Sequence, residues 1–401
     1  MMLSNRMYVI KESPTLAVTS KASRMKKDGL DVIVLAAGEP DFDTPDHIKQ
    51  AAIAAINNGK TKYTPSGGTI ELKQAIVNKF KKENNLEYTT NEVLVSAGGK
   101  HSIYNLLQAL ISEGDEVIIP APYWVSYPDM VLLANGTPIC VACTREDNYK
   151  ITPQKLKTVL NKNTKAIFLN SPSNPTGMVY TKNELRALAD ELIKFPKVHI
   201  ITDDIYEHIL FTDDLFVNIA NVAPEILERI IIINGVSKAY AMTGWRIGYA
   251  ACKNVQLIKA MDTIQSQSTS NPCSIAQEAA VAALNGGTEC IIPMKKAFKE
   301  RHDHVVQRLN KIKGIQCLPA QGAFYCFFDC SEAIDNAYKR GNIKEKTDLA
   351  LANYLLDEFL VACVPGSAFG LNQHMRISYA TSLKELDIAL DRITKALDPQ
   401  S

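Results

Sequence analysis

Several polar residues stand where strand-like apolar runs end, and their types suit one kind of chemistry. Lys238 follows the run Ile230–Ile233, which stops at Asn234-Gly235. An ammonium so near a core loses solvation, and its pKa falls. A lysine that is neutral near pH 7 can attack a carbonyl or form an imine. Gly98-Gly99-Lys100 follows Val93–Ala97 and opens a helix, so its N–H groups can hold a phosphate at the positive helix end. Asn174 follows Ala166–Asn170 and can donate into a cleft, and Asp203 follows Val198–Thr202. A buried carboxylate there needs a cationic partner. Arg246 lies eight residues past Lys238, and Arg376 sits in the strand-like MRISYA, where a half-buried guanidinium needs an anion.

Singly, each has an ordinary explanation as a turn, a helix cap or a salt bridge. Together they describe a site for a phosphate, a protonated ring nitrogen and an imine-forming lysine. Pyridoxal phosphate requires all three.

The elements that must position these residues alternate. Strands are expected at Val32–Ala37, Val93–Ala97, Val117–Pro120, Ala166–Asn170, Val198–Thr202 and Ile230–Asn234. Helices are expected at Pro45–Asn58 with Thr44 as cap, then Thr69–Glu83, His101–Ile111, Tyr123–Leu133 and Lys182–Lys194. This alternation predicts an α/β fold with a doubly wound, mainly parallel sheet, whose ligands collect at the carboxyl ends of the strands. From about Ile291 the pattern changes to a long charged helix reaching Lys313, strands at Phe324–Phe328 and Met375–Tyr379, and helices at Lys346–Phe359 and Leu383–Leu397. The expected organisation is a large domain over 46–290 and a smaller α+β domain over 291–401, which residues 1–45, a polar arm, partly join.

Other motifs fail. Gly59-Lys60-Thr61 resembles the end of a P-loop, but Ala54 stands where the first glycine belongs. Gly235-Val236-Ser237-Lys238-Ala239 misses the last glycine of a nucleophile elbow. Cys140-x-x-Cys143 and Cys326-x-x-x-Cys330 have no partner pair, so no metal site is expected. The formal net charge of +1 gives no electrostatic case for nucleic acid or an anionic membrane. No apolar run approaches the roughly 18 residues of a membrane span, and the N-terminus lacks the apolar core of a secretory signal. The nine cysteines are expected to be reduced and mostly buried, in a cytoplasmic protein.

Seven motifs occur in order: GEPDFDTP at Gly38–Pro45, GKTKYTPSGG at Gly59–Gly68, APYWVSYP at Ala121–Pro128, NSPSNPTG at Asn170–Gly177, DDIYEH at Asp203–His208, SKAYAMTGWRIGY at Ser237–Tyr249 and MRISYATS at Met375–Ser382. In these the chain resembles, nearly end to end, the class I (fold-type I) pyridoxal-phosphate aminotransferases, and within them the bacterial aspartate/prephenate subgroup. The resemblance implies that Lys238 forms the imine with the cofactor and moves the proton of catalysis. Asp203 is implied as partner of the ring nitrogen, Tyr206 and Asn174 of the phenolate oxygen, and Trp124 as the stacking aromatic. Gly99, Lys100 and Arg246 match the phosphate cradle, where Gly235 replaces a serine common in relatives and shifts that contact to Ser237 or backbone groups. Tyr63 resembles a tyrosine that reaches the neighbouring subunit's phosphate, implying a homodimer. Arg376 matches the clasp for the substrate α-carboxylate, beside Gly38 and Asn174. Lys100 and Lys11 match lysines linked to a distal carboxylate and to prephenate. The implied activity is transamination between L-aspartate and 2-oxoglutarate, with prephenate as a further substrate. An aromatic or broad-specificity aminotransferase and a fold-type I lyase are the alternatives.

Overall fold

The computed structural model describes residues 3–12 and 14–398; Met1, Met2, Ser13 and residues 399–401 lie outside it. Strand β1 is Ile33–Val34, and the seven that follow are β2 Val93–Ser96, β3 Glu116–Ala121, β4 Thr137–Ala142, β5 Thr164–Asn170, β6 His199–Asp203, β7 Ile230–Gly235 and β8 Gly248–Ala251. Those seven form one sheet in the order β2-β8-β7-β6-β5-β3-β4. Only β8 runs antiparallel to its neighbours.

Strand β7 is buried at every position, because helices cover both faces of the sheet. Its side chains alternate between two cores, as a two-residue period requires. Ile230 and Ile232 pack with Ile76, Phe80 and Leu188. Ile231 and Ile233 pack with Ile103, Leu107 and Met261 on the other face. Each buried isoleucine contributes about 1.5–3 kcal/mol. The parallel register sets Asn170 beside Asp203, and Asp203 beside Ile233. Three strand ends thus open on one edge of the sheet.

A second sheet is built from β9 Gln316–Cys317, β10 Tyr325–Asp329, β12 Val364–Pro365 and β13 His374–Ser378, while β11 Val361–Ala362 pairs with β1 in parallel. The N-terminal strand therefore pairs with the C-terminal part of the chain. In the β10–β13 pair, Phe327 lies opposite Arg376.

The structure corrects several boundaries. The polar N-terminal arm contains a helix, Pro14–Lys27. Thr44 is not the cap of the helix Asp46–Asn57; its hydroxyl donates to the Ala241 carbonyl and accepts from the Trp245 indole instead. The long charged helix ends at Leu309, short of Lys313. Strand β4 carries Pro138, which argues against a strand in its interior. It is tolerated here because β4 lies at the sheet edge and is largely exposed.

Candidate active site

Between the strand ends of the large sheet and the β10–β13 pair lies a cavity of about 280 Å³. Lys238, Asp203, Asn174 and Tyr206 line it, as do Arg376, Gly38 and Ser237. Gly99, Lys100, Trp124 and Arg246 close its other end.

Lys238 is carried by the turn after β7, and its Nζ donates to the Gly38 carbonyl at 2.5 Å. Burial pushes its pKa down to about 8, with Glu39 opposing and Arg246 and Arg376 reinforcing the shift. Some of the amine is therefore neutral near pH 7. Asp203 ends β6. Burial raises its carboxyl to about 6, while hydrogen bonds from the Tyr127 hydroxyl and the Ile205 N–H pull it back. The Tyr127 contact is 2.6 Å. A carboxylate held so deep gains from a cation placed beside it.

The Gly98-Gly99 turn puts the N-terminus of the helix Gly99–Leu110 at the cavity. Gly98 has φ +93°, and a side chain there would meet the Arg246 guanidinium at 2.2 Å. A Cβ at Gly248 would lie 2.1 Å from the Gly99 nitrogen. Both glycines are thus needed for the close approach. Arg246 spends its hydrogen bonds on the Thr243 and Ala97 carbonyls. Lys100 lies 4.9 Å over the Trp124 ring, and burial, then Arg246, lowers its pKa. Two neighbouring cations at a helix N-terminus favour an anion between them.

At the opposite end, Arg376 is fully buried and its guanidinium donates to Asn174 Oδ1 at 2.9 Å and to the Ala36 carbonyl at 2.7 Å. Its Nε has no partner among the described residues. A buried unmet donor of this kind calls for an anion. Gly235 is buried at the end of β7, where a Cβ would press on the Ile247 carbonyl at 2.9 Å, so a serine does not fit there without a shift.

Two expected site residues are not brought into this cluster. Tyr63 is 91% exposed on the loop before the helix Ile70–Asn84. Lys11 is exposed, and its backbone N–H donates to Asp129; it borders an adjoining cavity that Lys100 and Arg246 also line. The structure adds residues that sequence reading passed over. Tyr127 holds Asp203, Asn170 ties the Asp203 carbonyl to the Asn174 N–H, and Tyr325 lines the cavity from β10. Tyr127 and Asn170 lie inside motifs quoted above, but Tyr325 carries no local signal. Away from the cavity, Glu83, Glu207 and His208 converge, and the Lys79 ammonium with the Asn84 and Asn234 amides already satisfies Glu207.

A mainly parallel sheet carrying a buried amine, a buried carboxyl and two cationic ends at its carboxyl edge defines an α/β protein whose cavity is fitted to small anionic molecules. The chain matches the family of class I and II aminotransferases over residues 30–393 and belongs to it. It is 54% identical over 397 residues to an aspartate/prephenate aminotransferase of Nitrosomonas europaea, covering 99% of this chain and 100% of that one. It is 53% identical to another of that name from Cereibacter sphaeroides, covering 98% and 97%. Among solved structures, the aspartate aminotransferase of Rhizobium meliloti superposes with TM-score 0.93 at 45% identity over 99% of both chains. That of Thermus thermophilus with maleate superposes with TM-score 0.92 at 40% identity, over 99% of this chain and 100% of that one. No helix among the described residues is long and apolar enough to cross a membrane.

Proposed function

We propose that the cavity binds pyridoxal 5'-phosphate and that the protein transfers an amino group between L-aspartate and 2-oxoglutarate, with prephenate as a further acceptor. The observation that carries this reading is the convergence of Lys238, Asp203 and Arg376 on one cavity. The names of the relatives supply aspartate and prephenate, and 2-oxoglutarate follows from the family resemblance.

When bound, the cofactor supplies an electron-accepting ring and an aldehyde carbon that condenses with amines. The protein's part follows from its own groups. Gly99, Lys100, Arg246 and Ser237 hold the phosphate, and Trp124 covers the ring face. Asp203 keeps the ring nitrogen protonated, and that pairing offsets the desolvation that raises its carboxyl. Tyr206 and Asn174 donate to the anionic ring oxygen. Asn174 can do so because its own Oδ1 is occupied by Arg376. Arg376 orients the α-carboxylate beside Gly38, which leaves Lys238 to take the substrate's Cα proton and return it. Lys11 serves the distal carboxylate, as does Lys100 where it is not held by the phosphate.

The exposed Tyr63 is read as a contribution to the neighbouring subunit of a homodimer. The same reading divides the chain into a large unit over 46–290 and a smaller one over 291–401 with part of 1–45.

The test is a panel of amino donors, including aspartate, alanine and phenylalanine, assayed against 2-oxoglutarate, oxaloacetate and prephenate. Borohydride treatment followed by peptide mapping should leave the cofactor attached at Lys238. Turnover of aspartate no faster than that of the other donors would overturn the substrate assignment. Attachment at another lysine would overturn the site.

A further inference from the structure

Two phenols meet at the cavity wall. Tyr206 Oη and Tyr325 Oη lie 2.9 Å apart, and both side chains are buried. They come from elements 119 residues apart in the chain. The Tyr325 ring also lies against the Arg376 guanidinium, 4.5 Å from the ring centroid. Its hydroxyl sits close to Gly38, where an added Cβ would come within 3.3 Å of it. Gly38 does not adopt a left-handed φ, so this phenol is the one neighbour that a side chain there would press on.

We propose that Tyr325 is a positioning residue: it donates its proton to Tyr206 Oη and so turns the Tyr206 hydroxyl into the cavity, toward the cofactor's ring oxygen. The inference rests on the cofactor reading above and extends it to a residue on the other sheet.

Only one proton lies between two phenol oxygens, and each phenol has one to give. If Tyr206 gave its proton to Tyr325, it would offer only lone pairs to the cavity. If Tyr325 donates, the Tyr206 proton is free, and a hydroxyl that accepts a hydrogen bond becomes a better donor itself. The surroundings favour the second arrangement. Burial raises both phenols, and Tyr206 is carried well above the usual value. At Tyr325 the Arg376 guanidinium, stacked on its ring, is the first cause to oppose the rise. At Tyr206 the same charge also opposes it but ranks behind the causes that raise it, so Tyr325 is the stronger acid and the better donor. The other charged groups facing the pair are Asp203 and Lys238 on the Tyr206 side and Glu39 on the Tyr325 side.

The test uses cofactor-loaded wild type, Tyr325→Phe and Tyr206→Phe, each titrated with pH by near-ultraviolet and visible absorbance. Donation to an anionic ring oxygen stabilises the deprotonated chromophore, so weakening it raises the midpoint. In Tyr325→Phe the midpoint should rise by about half a pH unit, and in Tyr206→Phe by more. The double variant should move no further than Tyr206→Phe alone. With the ring and its stacking on Arg376 retained, KM for aspartate should stay within about twofold while kcat falls roughly fivefold. A midpoint that falls would mean that Tyr206 is the donor, and would overturn the proposal. So would an unmoved midpoint, whether or not KM rises. A wild type with no titrating band would remove the cofactor reading, and this inference with it.

Discussion

Lys238 Nζ donates to the Gly38 carbonyl across 200 residues of chain, so the candidate nucleophile is held by the segment that runs from β1 to the cavity. This contact gives the amine one partner in a site that otherwise strips it of water.

That environment predicts a pH-dependent cost to folding. The pKa of Lys238 is about 8 in the folded protein against an ordinary 10.5, so the unfolded chain binds the extra proton between those values. The penalty is fully present below pH 8 and is relieved as pH rises toward 10.5. In cofactor-free protein, Lys238→Met should therefore raise stability at pH 7 by up to about 3 kcal/mol, and the gap should narrow to under about 1 kcal/mol by pH 10. Urea unfolding at both pH values measures it, and equal stabilities at pH 7 would refute it. The same substitution should abolish transamination.

Arg376 predicts a loss that a retained charge does not repair. Arg376→Lys keeps a cation but cannot clasp a carboxylate in a bidentate way or reach both Asn174 and the Ala36 carbonyl. We expect kcat/KM for aspartate to fall about a hundredfold, corresponding to about 3 kcal/mol. Steady-state kinetics with aspartate and 2-oxoglutarate decide this; a loss under fivefold would place the carboxylate elsewhere.

Lys100 separates two roles. It sits at the helix N-terminus beside Arg246 and over Trp124, and it also lines the adjoining cavity that Lys11 borders. If it serves the distal carboxylate, Lys100→Ala should cut kcat/KM for aspartate at least tenfold more than for alanine, a difference of about 1.4 kcal/mol. Equal losses for both donors, with weaker cofactor retention on dialysis, would assign it to the phosphate.

Gly248 tests how the anion end is built. A methyl group there meets the Gly99 nitrogen at 2.1 Å and the Gly98 carbonyl carbon at 2.4 Å, both backbone atoms. Gly248→Ala should destabilise the protein by about 1–3 kcal/mol and weaken cofactor binding by pushing the helix N-terminus away. Equilibrium dialysis and urea unfolding report the two effects, and normal values for both would show that the turn yields without strain.

The sequence by itself determined the sheet and the identity of most cavity residues. Apolar runs ending in polar residues mark parallel strands covered on both faces, and in such a sheet the carboxyl ends meet at one edge. Lys238, Asp203, Asn174 and Lys100 are legible for that reason. Strand β4 was not, because an edge strand need not be apolar and tolerates Pro138. The N-terminal helix Pro14–Lys27 was not, because only Ala22 of it is buried and its polar composition carries no clear period. The tertiary structure alone decided which distant groups touch. It placed Tyr325 of β10 against Tyr206, Gly38 against Lys238 and Tyr127 under Asp203, while leaving Tyr63 exposed. Such contacts depend on how one sheet closes over another, and no local pattern of hydrophobicity or turn residues encodes that distance.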